Sequence, residues 1–284
     1  MKKKTLALVA AVAAFAFSAA VFAGCSSNSS SSESSSDATD AKTEEATKFV
    51  VGFDAEYPPY GFIADDGSYT GFDLDLAAEV CERNGWTFEA QPIDWDAKDA
   101  LIDAGTITCI WNGFTMEGRE DSYAFSEPYM ENGQVILVKA DSGISKEADL
   151  AGKTVLTQAD SAALEALEGD YADLAATFAG GAVNQIADYT NALMQLESGA
   201  VDALACDYSI AMNAIAQNPD AYKIAITLTS EHYAVGFKLD NQAMADQVTA
   251  TLEEMVEDGT VTKLIDKYAD QGIDAANWCL GKLA

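Results

Sequence analysis

The fold is decided by residues 49–76, FVVGFDAEYPPYGFIADDGSYTGFDLDL. Its β-branched start leads into Asp54, so a carboxylate stands where a buried strand ends, and open α/β sheets bind ligands at that end of their strands. The YPPY segment at residues 57–60 follows, and its prolines make a stiff loop because they fix φ and remove backbone donors. A turn at residues 65–68 precedes a helix that begins near Gly71. The stretch therefore predicts a site for a small solute.

The rest of the sequence alternates strand-like and helix-like segments in two series. The first series predicts strands at 49–53, 88–93 and 107–111, with helices at 74–84 and 97–104. The second series predicts strands at 152–156, 201–206 and 222–226, with helices at 161–167, 190–198 and 210–217. Such alternation is typical of an α/β fold with largely parallel sheets, and its repetition favours two lobes.

The order of strand, Asp54, aromatic-proline turn and GFDLDL helix start at residues 71–76 resembles the solute-binding proteins of polar amino-acid ABC importers. The resemblance extends over residues 48–268. It implies a two-lobed, periplasmic-binding-protein-like (type II) α/β fold with two hinge crossovers. It also implies a binding protein rather than an enzyme, with no cofactor and no metal.

Two extended segments connect the predicted lobes. Residues 134–139 are apolar and have no helix of their own, so they predict the first crossover. Residues 233–238 precede amphipathic helices at 241–257 and 261–268, and the resemblance implies that these helices return to the first lobe. The predicted lobes are residues 48–138 with 232–284, and residues 139–231.

The first 47 residues have the pattern of an exported, anchored protein. Three lysines and an apolar run at 6–21 are typical of a secretory signal peptide, here residues 1–24. The FAGC sequence at 22–25 resembles a lipobox, which predicts cleavage before Cys25 and attachment of a diacylglyceryl group to it; an uncleaved membrane anchor is the alternative. Residues 26–47 are serine-rich and acidic, which predicts a disordered tether. We therefore expect a monomer held by a lipid on the extracytoplasmic face of the cell membrane.

Composition excludes several kinds of function. The chain has 16 Lys and Arg against 46 Asp and Glu, a formal net charge of -30, which disfavours nucleic acid as a partner. His232 is the one histidine of the sequence, so zinc sites and histidine-dependent triads have few ligands to draw on. Four cysteines remain besides Cys25, without a CxxC spacing, and their disulfide state stays open: Cys81, Cys109, Cys206 and Cys279.

An amino acid carries a carboxylate and an ammonium on one carbon, so its site needs donors for one group and acceptors for the other. The segment CIWNGFTMEGR at residues 109–119 resembles the family's first-lobe binding loop and contains Asn112. Arg119 would hold the carboxylate through paired N–H donors; a surface arginine paired with Glu120 or Asp121 is the alternative. By the resemblance, the Thr115 hydroxyl and the Gly113 carbonyl would receive the ammonium.

The second lobe would complete the site. The resemblance makes Asp207 the countercharge for the ammonium, with a plain helix N-cap as the alternative. Ser161 would begin a helix whose N–H groups point at the carboxylate. Tyr57 and Trp95 would wall the ligand side chain, and packing in the core is the alternative for Trp95. Asp54 would contact the distal end of the ligand.

The resemblance implies the substrate-binding component of an ABC importer, which captures a polar amino acid and delivers it to a membrane permease. An enzyme of the dehydratase type on the same scaffold and an amino-acid sensing module are the alternatives. Asp54 and the acidic charge favour a cationic amino acid, whereas the aromatic walls also suit glutamine or cystine.

Overall fold

The computed structural model describes residues 46–283. These residues fall within one compact unit, Glu45–Ala284. The predicted signal peptide, Cys25 and all but the last two residues of the predicted tether lie outside the described residues. Within the described part, no helix has the length and apolar character needed to cross a bilayer.

Strands and helices alternate along the described chain. The strands are β1 (Lys48–Phe53), β2 (Glu56–Tyr57), β3 (Gly61–Ile63), β4 (Tyr69–Thr70), β5 (Thr87–Pro92), β6 (Cys109–Ile110), β7 (Tyr123–Phe125), β8 (Met130–Asn132), β9 (Gln134–Lys139), β10 (Val155–Gln158), β11 (Asn184–Ile186), β12 (Ala203–Asp207), β13 (Tyr222–Thr227), β14 (Glu231–Tyr233) and β15 (Gly236–Lys238). The α-helices are α1 (Phe72–Asn84), α2 (Lys98–Asp103), α3 (Ala162–Glu168), α4 (Ala172–Ala175), α5 (Tyr189–Ser198), α6 (Tyr208–Gln217), α7 (Gln242–Glu257) and α8 (Thr260–Tyr268).

The first lobe is built on a sheet with the strand order β5-β1-β6-β15-β7. Strand β1 is parallel to β5 and β6, whereas β15 is antiparallel to β6 and β7. Helix α1 buries Phe72, Leu76 and Val80, which are spaced one turn apart and therefore share a face. The helix ends at Gly85, whose φ of 65° gives the left-handed C-cap. Helices α7 and α8 pack on α1, so the C-terminal part of the chain belongs to this lobe.

The second lobe is built on a sheet with the order β11-β10-β12-β9-β13. Strand β9 pairs antiparallel with both β12 and β13, and its first five residues are buried. The prediction that residues 134–139 form the crossover between lobes is therefore wrong. An apolar run without a helix describes a central strand as well as a connection, because both carry continuous hydrophobic residues.

The chain crosses between the lobes in two short strands that pair with each other. Strands β8 and β14 are antiparallel, with Asn132 opposite Glu231 and Met130 opposite Tyr233. The second lobe begins and ends beside this pair, because the Leu228 N–H donates to the Gln134 carbonyl at 2.7 Å. The predicted return segment at 233–238 thus divides between the crossover strand β14 and the first-lobe strand β15.

The four cysteines of the described part are thiols. Cys81, Cys109 and Cys206 are buried, and Cys279 is partly exposed. Burial raises the pKa of Cys81 to about 12 and that of Cys279 to about 11, so these thiols are poor nucleophiles.

Candidate functional site

The candidate site lies between the two lobes, at the carboxyl ends of strands from both sheets. Strand β1 ends just before Asp54 and β10 ends at Gln158. These two residues meet across the cleft, where Gln158 Nε2 donates to Asp54 Oδ2 at 2.6 Å. Lys98 of the first lobe pairs with Asp160 of the second, and Trp95 Nε1 donates to the Asp160 carbonyl at 3.2 Å. The lobes are therefore closed on each other in this structure.

Arg119 is buried at the boundary between the lobes, with 7% of its surface exposed. Its Nη2 donates to Glu165 Oε1 on α3 at 2.7 Å, and its Nη1 donates to the Thr115 carbonyl at 3.2 Å. The guanidinium lies over the Phe114 ring, 4.9 Å from its centroid. The alternative of a surface arginine paired with Glu120 or Asp121 is thus wrong. A guanidinium fixed in this way is oriented toward the opposite lobe.

A cavity of about 600 Å³ opens between the lobes on the side of Asp54. Trp95 lines this cavity. Its ring also packs edge-to-face on Phe114, with centroids 5.8 Å apart, so the residue contacts both the cavity and the core. None of the described residues that line the cavity is basic. Five of them are acidic: Asp54, Glu56, Asp94, Asp96 and Asp188.

Asp54 is nearly buried at the base of this cavity. Burial raises the pKa of its carboxyl, although hydrogen bonds from the Glu56 N–H at 2.8 Å and from Gln158 oppose the rise. Asp188 and Glu56 add to the rise by charge repulsion. A cation that reached Asp54 would relieve both the desolvation and the repulsion.

Tyr57 lies between the lobes but does not line this cavity. Its hydroxyl is 3.0 Å from the Tyr233 hydroxyl, and its ring packs on Tyr189 of the second lobe with centroids 5.9 Å apart. Gly113 fits against both Tyr57 and Tyr233 at φ 59°, since a Cβ there would stand 3.0–3.1 Å from their rings. The neighbouring Asn112 is buried, and its amide has no hydrogen-bond partner among the described residues.

Asp207 stands before α6 but does not cap it with its side chain, so the N-cap alternative is wrong. Its Oδ1 instead accepts from Asn132 Nδ2 at 2.9 Å and from Gln134 Nε2 at 2.7 Å. Ser161 does act as an N-cap, because its Oγ accepts from the Leu164 N–H at 3.2 Å. Asp207 thus ends β12 in contact with the crossover strand β8, whereas the Ser161 hydroxyl bonds within the second lobe, to Thr157, the Gln158 carbonyl and Leu164.

Thr115 donates to a residue that the sequence did not single out. Its Oγ1 lies 2.7 Å from Glu231 Oε1, and Glu231 also accepts from Asn132 and Gln134. The acidic residue on the return crossover therefore contacts the same amides as Asp207. No local pattern marks Glu231, since a lone acidic residue near a strand end is common on protein surfaces.

The loop that contains Gly113 is fixed by a hydrogen bond to Asp73, the first acidic residue of the GFDLDL motif. The Gly113 N–H donates to Asp73 Oδ2 at 2.6 Å, and the Tyr129 hydroxyl donates to the same carboxyl at 2.8 Å. Burial raises the pKa of Asp73 to about 7 even though these hydrogen bonds lower it. The motif thus supports the loop from within the first lobe.

Comparison with known proteins identifies the family. The profile described as "Bacterial extracellular solute-binding proteins, family 3" matches residues 49–271. The chain belongs to this family. The L-cystine-binding protein TcyJ of Escherichia coli (strain K12) is 28% identical over 234 residues, which are 80% of this chain and 84% of TcyJ.

Solved structures show the same architecture. An ABC uptake transporter substrate binding protein from Streptococcus pneumoniae, crystallised with bound histidine, matches with a TM-score of 0.76 at 33% identity over 80% of this chain and 94% of that one. An ancestral arginine-binding protein bound to arginine matches with a TM-score of 0.70 at 33% identity over 78% and 97% of the two chains. The two-lobed type II fold predicted for this solute-binding protein is confirmed, and its relatives are binding proteins rather than enzymes.

Proposed function

We propose that this chain is the substrate-binding component of an ABC importer, which captures one polar amino acid between its lobes and delivers it to a membrane permease. One observation carries the proposal: a guanidinium of the first lobe, Arg119, and a carboxyl of the second, Asp207, are both buried and are linked through Thr115 and Glu231. The Thr115 carbonyl accepts from Arg119, its hydroxyl donates to Glu231, and Glu231 shares the Asn132 amide with Asp207. This pair matches the two charges of a zwitterion. The histidine and arginine bound in the related structures support it.

In the proposed complex, Arg119 binds the ligand carboxylate and Asp207 binds the ammonium. The Glu165 side chain is about half exposed, so a carboxylate can displace it from Arg119 at little cost. Thr115, the Gly113 carbonyl and Ser161 supply further hydrogen bonds. Because the two charged contacts come from different lobes, the ligand stabilises the closed state, and this differential affinity drives closure.

We further propose a ligand with a cationic side chain. The acidic residues around Asp54 attract a guanidinium or ammonium at the distal end of the ligand. Cystine brings a second carboxylate and glutamine brings no charge, so both gain less from this lining. We propose binding without a chemical step, in contrast to the dehydratase alternative. We also propose delivery to a permease, in contrast to the amino-acid sensing module.

The location is also a proposal. We infer that residues 1–24 are removed, that Cys25 carries a lipid, and that the tether lets a monomer reach the permease on the extracytoplasmic face of the membrane. The sequence pattern and the extracellular character of the family support this. Mass spectrometry of the membrane-extracted protein checks it, since an unmodified Cys25 would contradict the lipid anchor.

A thermal-shift screen of the twenty amino acids, cystine and ornithine tests the function. A ligand that binds only the folded state raises the melting temperature by mass action. We expect arginine, lysine, ornithine or histidine to give the largest shift, and glutamate none. A response to cystine or glutamine alone would contradict the cationic preference. A response to prephenate-like acids alone would contradict transport, and no response at all would overturn amino-acid binding.

A further inference from the structure

Two buried carboxyl groups share the same hydrogen-bond donors at the lobe boundary. Asp207 and Glu231 are each only 5% exposed. Asn132 Nδ2 donates at 2.9 Å to both Asp207 Oδ1 and Glu231 Oε1. Gln134 Nε2 donates at 2.7 Å to the same two oxygens. The two carboxyl groups are therefore neighbours, bridged by two amide nitrogens.

No cation of the described residues compensates this pair. Among residues 46–283, neither carboxyl group forms an ion pair with Lys, Arg or His. Arg119 donates to Glu165 and to the Thr115 carbonyl instead. The other titratable groups that face the pair or adjoin it along the chain are Tyr57, Tyr60, Tyr189, Tyr233, Cys206, His232 and Glu117.

The tyrosines and Cys206 around Asp207 and Glu231 supply no charge that could balance the two carboxyl groups. Burial raises the pKa of each tyrosine and of Cys206, so these groups are neutral at ordinary pH. His232 and Glu117 bond each other at 2.6 Å. Burial also raises the pKa of Asp207, and burial together with repulsion from Asp207 raises the pKa of Glu231. Two neighbouring carboxyl groups of this kind retain a proton more readily than either does alone.

An unused acceptor adjoins the pair. Gln134 is fully buried, and its Oε1 has no hydrogen-bond partner among the described residues. Its Nε2 donates to the two carboxyl groups, so a flip of the amide would place Oε1 against the carboxyl oxygens. An ammonium group offers three donors and one positive charge, which suits two carboxylates beside a free carbonyl.

We propose that Asp207 and Glu231 together form the ammonium subsite, and that the ammonium of the ligand replaces one proton that the empty pair holds. This inference rests on the proposed function. In the exchange, one carboxyl O–H bond breaks, its electron pair stays on the oxygen, and the proton leaves to solvent. The ligand keeps all three of its N–H bonds and pairs with two carboxylates.

This subsite reaches both crossovers. Glu231 lies on β14, and Asn132 lies opposite to it on β8. Glu231 also accepts from Thr115 at 2.7 Å in the first lobe, while Asp207 belongs to the second. Exchange of a proton for an ammonium thus leaves the net charge of the site unchanged and replaces one O–H donor by three N–H donors at the point where the lobes hinge. It also makes capture favourable at higher pH and release favourable at lower pH.

Isothermal titration in two buffers of different ionisation enthalpy measures the protons released. L-Arginine is the first probe, replaced by the best amino acid of the thermal-shift screen if another gives the larger shift. For the full-length wild type we expect release of up to about one proton per ligand, and an affinity that rises up to about tenfold per pH unit where release occurs. The Glu231→Gln variant should release markedly less and show a flatter pH profile.

Two controls separate the sources of the proton. Glu131→Gln removes an exposed carboxylate from β8, and this variant should behave as the wild type. For arginine, the deaminated analogue 5-guanidinopentanoate keeps the side chain and the carboxylate, so it should bind without the release that belongs to the ammonium. Wild-type binding without proton release, or equal release in Glu231→Gln, overturns this inference alone. Absence of binding by any amino acid overturns the proposed function as well.

Discussion

Arg119 shows how a single side chain is prepared for a charged ligand. Its guanidinium is stacked on Phe114 and tied to the Thr115 carbonyl, so little side-chain freedom is left to lose on binding. Its Nη2 donates to Glu165, whose side chain is half exposed. The guanidinium is thus held in place by its own lobe, and a ligand carboxylate can replace its contact with Glu165 on the other side.

Replacing Arg119 with Ala should weaken amino-acid binding by at least about 100-fold, because a bidentate, charge-assisted contact contributes about 3 kcal/mol or more. Titration calorimetry with the best ligand of the screen measures the loss. Arg83→Ala is the matched control, since Arg83 pairs with Glu79 and Asp258 away from the cleft. Retained affinity in Arg119→Ala would contradict the carboxylate assignment.

Sequence reasoning proposed Arg119 and Asp207 because each follows a strand in a recognisable motif. It missed Asn132, Gln134 and Glu231, which surround Asp207 in the structure. These three are polar residues in or beside buried strands, and such residues become informative only when their partners are known. Sequence separations of 73 to 99 residues join them, so no local window contains the cluster.

At the scale of the element, helix α1 is the support of the binding loop. Asp73 lies in its first turn, fully buried, and accepts from the Gly113 N–H and the Tyr129 hydroxyl. The helix therefore holds the loop through a hydrogen bond to this carboxyl. That arrangement places a group with a pKa of about 7 inside the first lobe.

Asp73→Asn should change the pH dependence of stability. The pKa of Asp73 rises from 3.8 to about 7 on folding, so its stabilising contribution is complete below about pH 4 and is lost as the pH rises through 7. Relative to the wild type, the variant should therefore gain stability between pH 4 and pH 8, by the order of 4 kcal/mol. Urea unfolding across this range measures it.

Asp75→Asn serves as the comparison for Asp73→Asn. Asp75 occupies the same turn of α1 but pairs with Lys267 at 2.5 Å nearer to the surface. Its variant should not reproduce the gain. Stability curves of wild type and Asp73→Asn that run parallel from pH 4 to pH 8 would contradict the role given to the buried carboxyl.

The elements were largely predictable, and so was the return of the C-terminal helices to the first lobe, whereas the lobe of strand β9 was not. The predicted helix at 190–198 matches α5 to within one residue, because Asp188 caps its start and Gly199 ends it at φ 76°. Strand β9 was taken for a crossover, since its apolar run is the same whether it joins two lobes or completes one sheet. Pairing partners far along the chain decide between the two, and one sequence does not show them.

For the whole molecule, the closed state includes several polar bridges across the cleft in addition to the packing of Tyr57 on Tyr189. Lys98 is 3% exposed and bonds Asp160, Gln158 bonds Asp54, and Arg119 bonds Glu165. The two lobes thus meet through side chains near the site, while the paired strands β8 and β14 join them at the back. We therefore expect the loss of one such bridge to shift the balance between open and closed states.

Lys98→Ala should open the empty protein. We expect a larger radius of gyration by small-angle X-ray scattering, which returns toward the wild-type value when the amino acid is added. The apparent affinity should fall by about two- to tenfold, because it scales with the fraction of closed molecules. Lys153→Ala is the control, since Lys153 pairs with Asp202 inside the second lobe. An unchanged radius would show that this bridge does not hold the lobes together.

The contact between the two ends of the second lobe also bears on the order of folding. Strand β15 pairs with β6, Gly236 against Ile110, and the whole second lobe lies between these partners along the chain. Closing so long a loop costs conformational entropy and slows folding. Once the second lobe has formed, Leu228 and Gln134 are bonded at 2.7 Å and the loop is effectively reduced to its short flanks. The folded second lobe thereby lowers the entropy cost of pairing β15 with β6, the step that completes the sheet of the first lobe.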